Sequence, residues 1–499
     1  MTFPAPLATK RLFLLFFLLM TLTIYGNTFF NQWTYDDLPV VVQNPDARTL
    51  DSFLKNTVPG RPLRELSYIP DHLLFGDRPA GYHIQQLGWH GMNGFLLFLL
   101  LHGLGVEIPA ALVGALLFLV HPFQAESVAN ISHRKELLAL FFVLSSALLH
   151  LKALAASGGR RWLCAAGAVG AYAAALGANE TAVALPLALV LMEWLAVPRE
   201  RWLLLRRPLL LALVFGAAGV LAAWRYQWLF SARQLYTVYS KNNFTATADY
   251  LPLFMASLRS FGFYLGKIIL PVGLAPEYVF RLSASILQPW AWVGAVLLAG
   301  GAALVPLARR AMPLLALGAG WFLAFWLPVS NLVPAGYLVA DRYMYLCLPG
   351  GAFAAAALIT RFPKRGVFGA ALAVILAWAL LTVVQNGHWR TEHTLWRHAA
   401  RVNADSTWVR GAASKSYLST GELDQAREHA RAAIALSSYN VEAYLTLARV
   451  EERRGDLAEA LRNYQLFVAL GQVDFPQETA RIRAHIPFLK GQLNLQGKP

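Results

Sequence analysis

The sequence predicts an all-α protein, a polytopic membrane helical bundle of about 11–12 spans followed by C-terminal helical repeats. Three observations lead there. Of 499 residues, 57% are hydrophobic and only 14% are charged, where soluble domains carry roughly a quarter charged residues. The apolar residues gather in runs close to the roughly 20 residues that cross a bilayer as a helix. From about residue 386 the composition turns polar and alanine-rich and repeats with a 34-residue period.

The first apolar run, "RLFLLFFLLMTLTIYG", follows Lys10 and Arg11 and has the outline of a signal peptide. It lacks a small-residue cleavage site and many apolar runs follow, so it reads as the first span. Runs of spanning or near-spanning length occupy roughly 11–30, 91–106, 109–121, 136–154, 162–178, 181–197, 208–224, 290–307, 311–328, 343–360 and 366–385. The shorter ones must borrow flanking residues. Threading these eleven in order puts Lys10/Arg11, Arg160/Arg161, Arg199 to Arg207, Arg309/Arg310 and Arg361 to Arg365 on one side. The positive-inside rule makes that side cytoplasmic. The net charge of +15 is therefore topological and does not indicate nucleic acid.

Loops 31–90 and 225–289 then lie outside, with everything after 385. The stretch "YLPLFMASLRSFGFYLGKIIL" in the second loop is apolar but carries Arg259 and Lys267. It reads as an interfacial or re-entrant segment, a twelfth span being the competing reading. Cys164 and Cys347 sit in apolar stretches as small hydrophobes, with neither disulfide nor metal spacing.

In the tail, residues 407–440 and 441–474 align without gaps. Gly421 falls on Gly455, Leu423 on Leu457, Ala426 on Ala460 and Leu436 on Leu470. Glycine at the turn and alanine where paired helices touch, at this period, form the tetratricopeptide signature. The segment "TLWRHAARVNADS" reads as part of a truncated leading repeat, and 475–495 as a cap. The division is a membrane domain over 1–385 and an exported repeat domain over 386–495, whose groove would hold an extended peptide.

Polar residues collect on the outer side of this threading. Asp36 and Asp37 follow the first span; His121, Glu126, His133 and Arg134 follow the third. Asn179 and Glu180 join the fifth and sixth, and Asp341 and Arg342 join the ninth and tenth. Glu107 and Glu193 fall on the inner side, so the bias is not total. Each has an ordinary reading: a helix-end aspartate as a cap, Glu180 as a loop charge, Asp341 and Arg342 as an interfacial pair. Their joint placement favours a functional one, because charge at membrane depth is costly. In the first outer loop, Arg61 and Arg64 lie in "GRPLRELSY". His83, Gln86 and His90 stand at i, i+3 and i+7 on one helical face. Substrate hydrogen bonding or packing is favoured there over metal ligation.

The segments "YDDLPVVVQNPD", "GRPL", "GYHIQQLGWH", "HPFQAESVANISHRKELLA" and "VSNLVPAGYLVADRYMYLCLPG" together resemble the transmembrane-and-tetratricopeptide O-mannosyltransferases and their prokaryotic relatives. The resemblance implies a GT-C type membrane glycosyltransferase using a polyprenyl-phosphate sugar. It implies an acid of the first outer loop at the reacting centre, hence Asp36 and Asp37. Glu126 of "HPxxxE" and Arg342 of "DRYMY" match family motif positions. Gln86 departs from the family's His-x-x-Asn-x-x-x-His pattern, and "ANETA" lacks the basic residue before its glutamate. The array is also short beside the animal members'. These departures bear on the acceptor and on mannose as the sugar.

Such a transfer needs a carboxylate base, for which Asp36 and Asp37 stand as catalytic candidates. It needs cations for the leaving lipid phosphate: Arg342, Arg134, Arg61 and Arg64. Glu126, His121, Glu180, Asp341, His83 and His90 complete the expected substrate-binding set. No cofactor is required, although a divalent ion could bridge Asp36 or Asp37 to the phosphate. The sequence leaves inversion and retention open, and the resemblance favours inversion. The expected partners are membrane lipid, the lipid-linked sugar and an acceptor protein, in a bacterial inner membrane with the N-terminus cytoplasmic and the repeats periplasmic. The competing readings are a flippase for lipid-linked glycans, which would show internal repeat symmetry, and a non-catalytic scaffold. "NIS" at Asn130 and "NFT" at Asn243 match glycosylation acceptor sites, a match that chance often produces.

Overall fold

A computed structural model describes residues 7–56, 60–207, 214, 217, 220, 250–279, 285–332 and 337–496. Among these residues the chain is helical and has no strand. It divides into two units. The first carries the apolar helices up to Thr391; the second begins at Glu392 and adds a short piece of the second outer loop starting at Ala275.

The first unit contains α1 (Leu7–Tyr25), α2 (Leu50–Lys55), α3 (Pro62–Phe75), α4 (Pro79–Gly103), α5 (Ile108–Val120), α6 (Gln124–Ala129), α7 (Arg134–Ala155), α8 (Gly158–Ala178) and α9 (Leu185–Ala196). After a gap in the described residues come α10 (Tyr250–Ile269), α11 (Pro289–Ala308), α12 (Pro313–Trp326), α13 (Pro349–Arg361) and α14 (Arg365–His388). Every predicted span falls on one of these helices except 208–224, which lies outside the described residues apart from three positions.

Proline opens α3, α4, α11, α12 and α13. There its missing N–H is one that no intrahelical acceptor awaits. Helical segments long and apolar enough to cross a membrane are Ala8–Phe30, Ile131–Ala155, Pro289–Ala308 and Arg365–His388. Their burial separates them. The apolar window of Ile131–Ala155 is 72% buried, against 11% for Arg365–His388. Helix α7 is thus internal, packed on α4 and α8, while α14 presents most of its surface outward.

Helix pairs approach through glycine, as membrane bundles favour when no water drives association. A Cβ on Gly318 of α12 would lie 2.5 Å from the Gly350 carbonyl oxygen of α13. One on Gly294 of α11 would lie 1.9 Å from the Leu258 oxygen of α10.

Both outer-loop segments contain helix. The stretch at 251–271 is one continuous 20-residue helix, α10, packed on α11 through Met255, Leu258 and Ala291. It does not turn back as a re-entrant segment would, and at about 30 Å (1.5 Å per residue) its length is compatible with the interfacial and the spanning reading alike. The loop at 31–90 is largely helical, and its last residues are the first turns of α4. His83, Gln86 and His90 do share that helix, and all three are fully buried. The "NIS" asparagine is also internal: Asn130 is fully buried and donates to the Thr34 carbonyl at 2.9 Å. Asn243 lies outside the described residues.

The second unit contains α15 (Glu392–Val402), α16 (Thr407–Thr420), α17 (Leu423–Leu436), α18 (Val441–Arg454), α19 (Leu457–Leu470) and α20 (Pro476–Gln496). Corresponding helices of the two hairpins begin 34 residues apart (441 − 407 and 457 − 423). Gly421 and Gly455 adopt φ of 83° and 86°, the left-handed turn that glycine makes without strain. Ala426 and Ala460 are fully buried, where a larger side chain would separate the paired helices. Helix α20 supplies Ile482 and Leu489 to the core formed with Tyr464 and Phe467.

Candidate active site

Glu126 lies in the first turn of α6, and Arg342 in the short helical turn Asp341–Met344. The two are 216 positions apart, yet the Arg342 Nη1 donates to Glu126 Oε1 at 2.6 Å. The Arg342 backbone N–H donates to Oε2 at 2.8 Å. Both side chains are buried. The guanidinium also lies 4.9 Å from the Tyr337 ring centroid and 5.4 Å from that of Tyr343, which stabilise a desolvated cation through their π faces. Burial works against the Arg342 charge, but Glu126 and the surrounding tyrosines outweigh it and hold its pKa well above the usual value. Among the described residues its Nε has no hydrogen-bond partner. Such a donor, buried and unused, is costly unless something accepts from it.

The aspartate pair separates into two roles. Asp37 is fully buried. Its Oδ1 accepts from the Ser132 N–H at 2.7 Å and its Oδ2 from the Thr34 N–H at 3.1 Å. Asp37 therefore joins the first outer loop to the segment that leads into α7. Both Asp37 oxygens face backbone N–H groups, whereas the Asp36 side chain is exposed.

Next to them, Tyr35 adopts φ of 57°, unusual for a residue with a Cβ. The conformation is held by neighbours: its hydroxyl donates to Tyr337 at 3.3 Å, and its ring packs against His133 and Trp389. His133 Nδ1 stands 3.8 Å from Glu126 Oε1. Asp37, Ser132, His133, Glu126 and Arg342 thus form one continuous set of contacts, and Asp36 is the solvent-facing residue beside it.

Arg342 also lines a cavity of about 50 Å³ together with Lys135, Glu136, Asn179, Glu180 and Tyr343. Glu180 accepts a forked pair of hydrogen bonds from Arg61, at 2.8 Å and 3.2 Å. Burial raises the Glu180 pKa, but Arg61 and Lys135 overcome it and hold the carboxyl down at about 2. Lys135 Nζ stands 3.5 Å from Glu136 Oε1. The cavity therefore has two cations in its wall, Lys135 and Arg342, and two carboxylates, Glu136 and Glu180, the latter paired with Arg61. Its volume suits a small polar group and is far below the several hundred Å³ of a pocket for a whole ligand.

Other predicted residues are turned elsewhere. Arg134 is fully buried and its guanidinium faces inward. It pairs with Asp71 at 2.6 Å, donates to Gln86 Oε1 and to the Ser67 and Tyr82 carbonyls, and stacks over Tyr68. It ties α3, α4 and α7 together, so its expected role as a phosphate ligand is corrected. Arg64 is buried and pairs with Glu65 at 2.6 Å.

His121 accepts from the Phe123 N–H, meets the Ile268 carbonyl at 3.0 Å and packs on Trp378. It anchors α10 and does not join the acid–guanidinium cluster. His90 bonds Tyr345 and the Leu119 carbonyl. The expectation of substrate contact for it gives way to packing. Among the described residues neither ring nitrogen of His83 is bonded. Asp341 is buried and interacts electrostatically with Tyr264 and Lys267.

Sequence reasoning passed over Lys135, Tyr35, Tyr337 and Tyr343. The signals were present: Lys135 sits in "SHRKE", and both tyrosines flank Arg342 within "GYLVADRYMY".

No protein-family model and no solved structure matches the chain. Curated relatives do. Mouse TMTC4, a protein O-mannosyl-transferase, is 24% identical over 457 residues, 77% of this chain and 61% of that protein. The chain resembles the TMTC O-mannosyl-transferases. Human TMTC4 is 26% identical over 402 residues, covering 68% of this chain and 53% of the relative. Fruit-fly Tmtc3 is 27% identical over 184 residues, covering 35% and 19%. The chain thus spans about a fifth of the fly O-mannosyl-transferase and little more than half of the TMTC4 proteins.

Proposed function

We infer that the chain is a membrane glycosyltransferase that moves a sugar, mannose by its resemblance, from a polyprenyl phosphate to a hydroxyl of a protein at the outer face. A bacterial inner membrane fits, with the N-terminus cytoplasmic and the repeats periplasmic. The observation that carries this reading is the buried Glu126–Arg342 pair, contiguous with the Asp36–Asp37 loop and opening on a small polar cavity where Lys135 and Arg342 stand beside Glu136 and Glu180.

In this scheme the acceptor hydroxyl oxygen attacks the anomeric carbon and its proton passes to the Asp36 carboxylate. The bond from that carbon to the phosphate oxygen breaks, and the lipid phosphate leaves with the electron pair. Arg342 and Lys135 meet the charge it gains; in a site shielded from water such fixed cations act strongly. The cavity admits the phosphate end alone, so the isoprenoid chain lies along the apolar helices. Attack opposite the leaving phosphate inverts the anomeric centre and needs no cofactor. Asp37 holds the loop, and the Glu126 carboxylate fixes the Arg342 fork.

The test compares two neighbours. Asp36→Asn should insert and melt like the parent and lose at least about a hundredfold in transfer from polyprenyl-phosphate mannose, the scale of a general base. Asp37→Asn puts an amide N–H against a backbone donor and should lower the melting temperature as well. Full transfer by Asp36→Asn would remove it from the reaction.

A further inference from the structure

The second unit contains a cavity of about 660 Å³ walled by Arg449, Glu452 and Arg453 of α18, Tyr464 of α19, and Arg481 and His485 of α20. Its volume lies in the range of ligand-holding clefts. We propose that this cavity binds an acidic stretch of polypeptide and so recruits the acceptor protein. This rests on the reading of the chain as a protein glycosyltransferase for its purpose, though not for the binding itself.

Charge argues for the occupant. Three guanidiniums converge on the cavity, and Glu452 is the one carboxylate among its wall residues. That carboxylate is already engaged, by the Tyr464 hydroxyl at 2.6 Å and by His485 Nε2 at 2.9 Å. Glu478 pairs with Arg449 and stands 3.9 Å from Arg481. Arg453 has no carboxylate partner among the described residues; its Nη1 donates to the Leu418 carbonyl at 3.1 Å. The Arg481 side chain is 78% exposed. Two cations are therefore available to an incoming carboxylate, whose forked geometry a guanidinium matches. Ile482 adds an apolar wall, which suits peptide better than a fully hydrated ion. An acceptor held on the same chain as the transfer site reacts at a raised local concentration.

The experiment uses the full-length protein in detergent or nanodiscs with a fluorescent peptide of serine, glutamate and aspartate, read by anisotropy. The parent should bind it, with affinity falling as salt rises, and should not bind the same peptide with glutamine and asparagine in place of the acids. Arg453→Ala with Arg481→Ala should weaken binding at least about tenfold, and Arg481→Glu, at a side chain too exposed to disturb folding, should weaken it alone. Unchanged binding in both variants, equal binding of the neutral peptide, or displacement of the peptide by anionic-lipid vesicles would overturn the proposal. Transfer to a short acceptor lacking acids should be unaffected by Arg481→Glu. Loss of peptide binding with transfer intact therefore concerns the cavity alone, and intact binding without transfer concerns the active site alone.

Discussion

Replacing Arg342 by alanine strands a buried carboxylate. Glu126 would keep one backbone donor and lose its counter-charge, a change that costs about 3–5 kcal/mol when a buried pair loses one partner. We expect Arg342→Ala to lower the melting temperature and abolish transfer. Arg342→Lys should recover part of the melting temperature and little of the transfer, since an ammonium keeps the charge and not the fork; equal rates in the lysine variant and the parent would oppose the phosphate role.

The Arg61–Glu180 pair makes a pH prediction. The Glu180 carboxyl titrates at about 2 in the folded chain and at its ordinary 4.5 when unfolded. Its contribution is therefore complete above about 4.5, shrinks as pH falls below that, and is gone once pH passes about 2. Melting of the parent should show this slope between those values, and Glu180→Gln should be flatter there. Two identical adjacent carboxylates, Asp36 and Asp37, show what residue type alone leaves open. Their fates differ because Ser132, 95 positions away, presents its N–H to one of them.

At the scale of elements, helix crossings depend on absent side chains. Gly318→Leu would drive carbon into the Gly350 carbonyl and should destabilise the bundle by about 1–3 kcal/mol, as overpacking does; a detergent melt measures it. In the tail, Gly455→Ala keeps space but imposes left-handed backbone on a residue with a Cβ, for about 1–2 kcal/mol. The 34-residue spacing was legible because glycine, alanine and leucine recur in register. The helix at Tyr250–Ile269 was harder to assign, because Arg259 and Lys267 interrupt its hydropathy. Lys267 meets the problem by reaching past the helix end to the Val272 and Gly273 carbonyls, as long basic side chains do near a membrane edge.

For the whole molecule, charge placement predicts orientation. In a chain with Cys164 and Cys347 replaced by alanine, Ser438→Cys should react with a membrane-impermeant maleimide in intact spheroplasts. Ser157→Cys, beside the basic pair Arg160/Arg161, should react only after permeabilisation. Labelling of Ser157→Cys from outside would reverse the topology and put the Asp36 loop on the wrong side for an exported acceptor.

Composition and periodicity by themselves determined the all-helical membrane class, the apolar helices, the repeat and the shared face of His83, Gln86 and His90, because these follow from hydropathy and from 3.6 residues per turn. Only tertiary structure decided which charges meet. Glu126 and Arg342 are separated by 216 positions, and Arg61 and Glu180 by 119. Nothing in local sequence distinguishes Arg134, consumed by an internal network, from Arg342, which keeps an unused donor at a cavity. That difference arises from which helices pack together, and packing is a property of the folded chain.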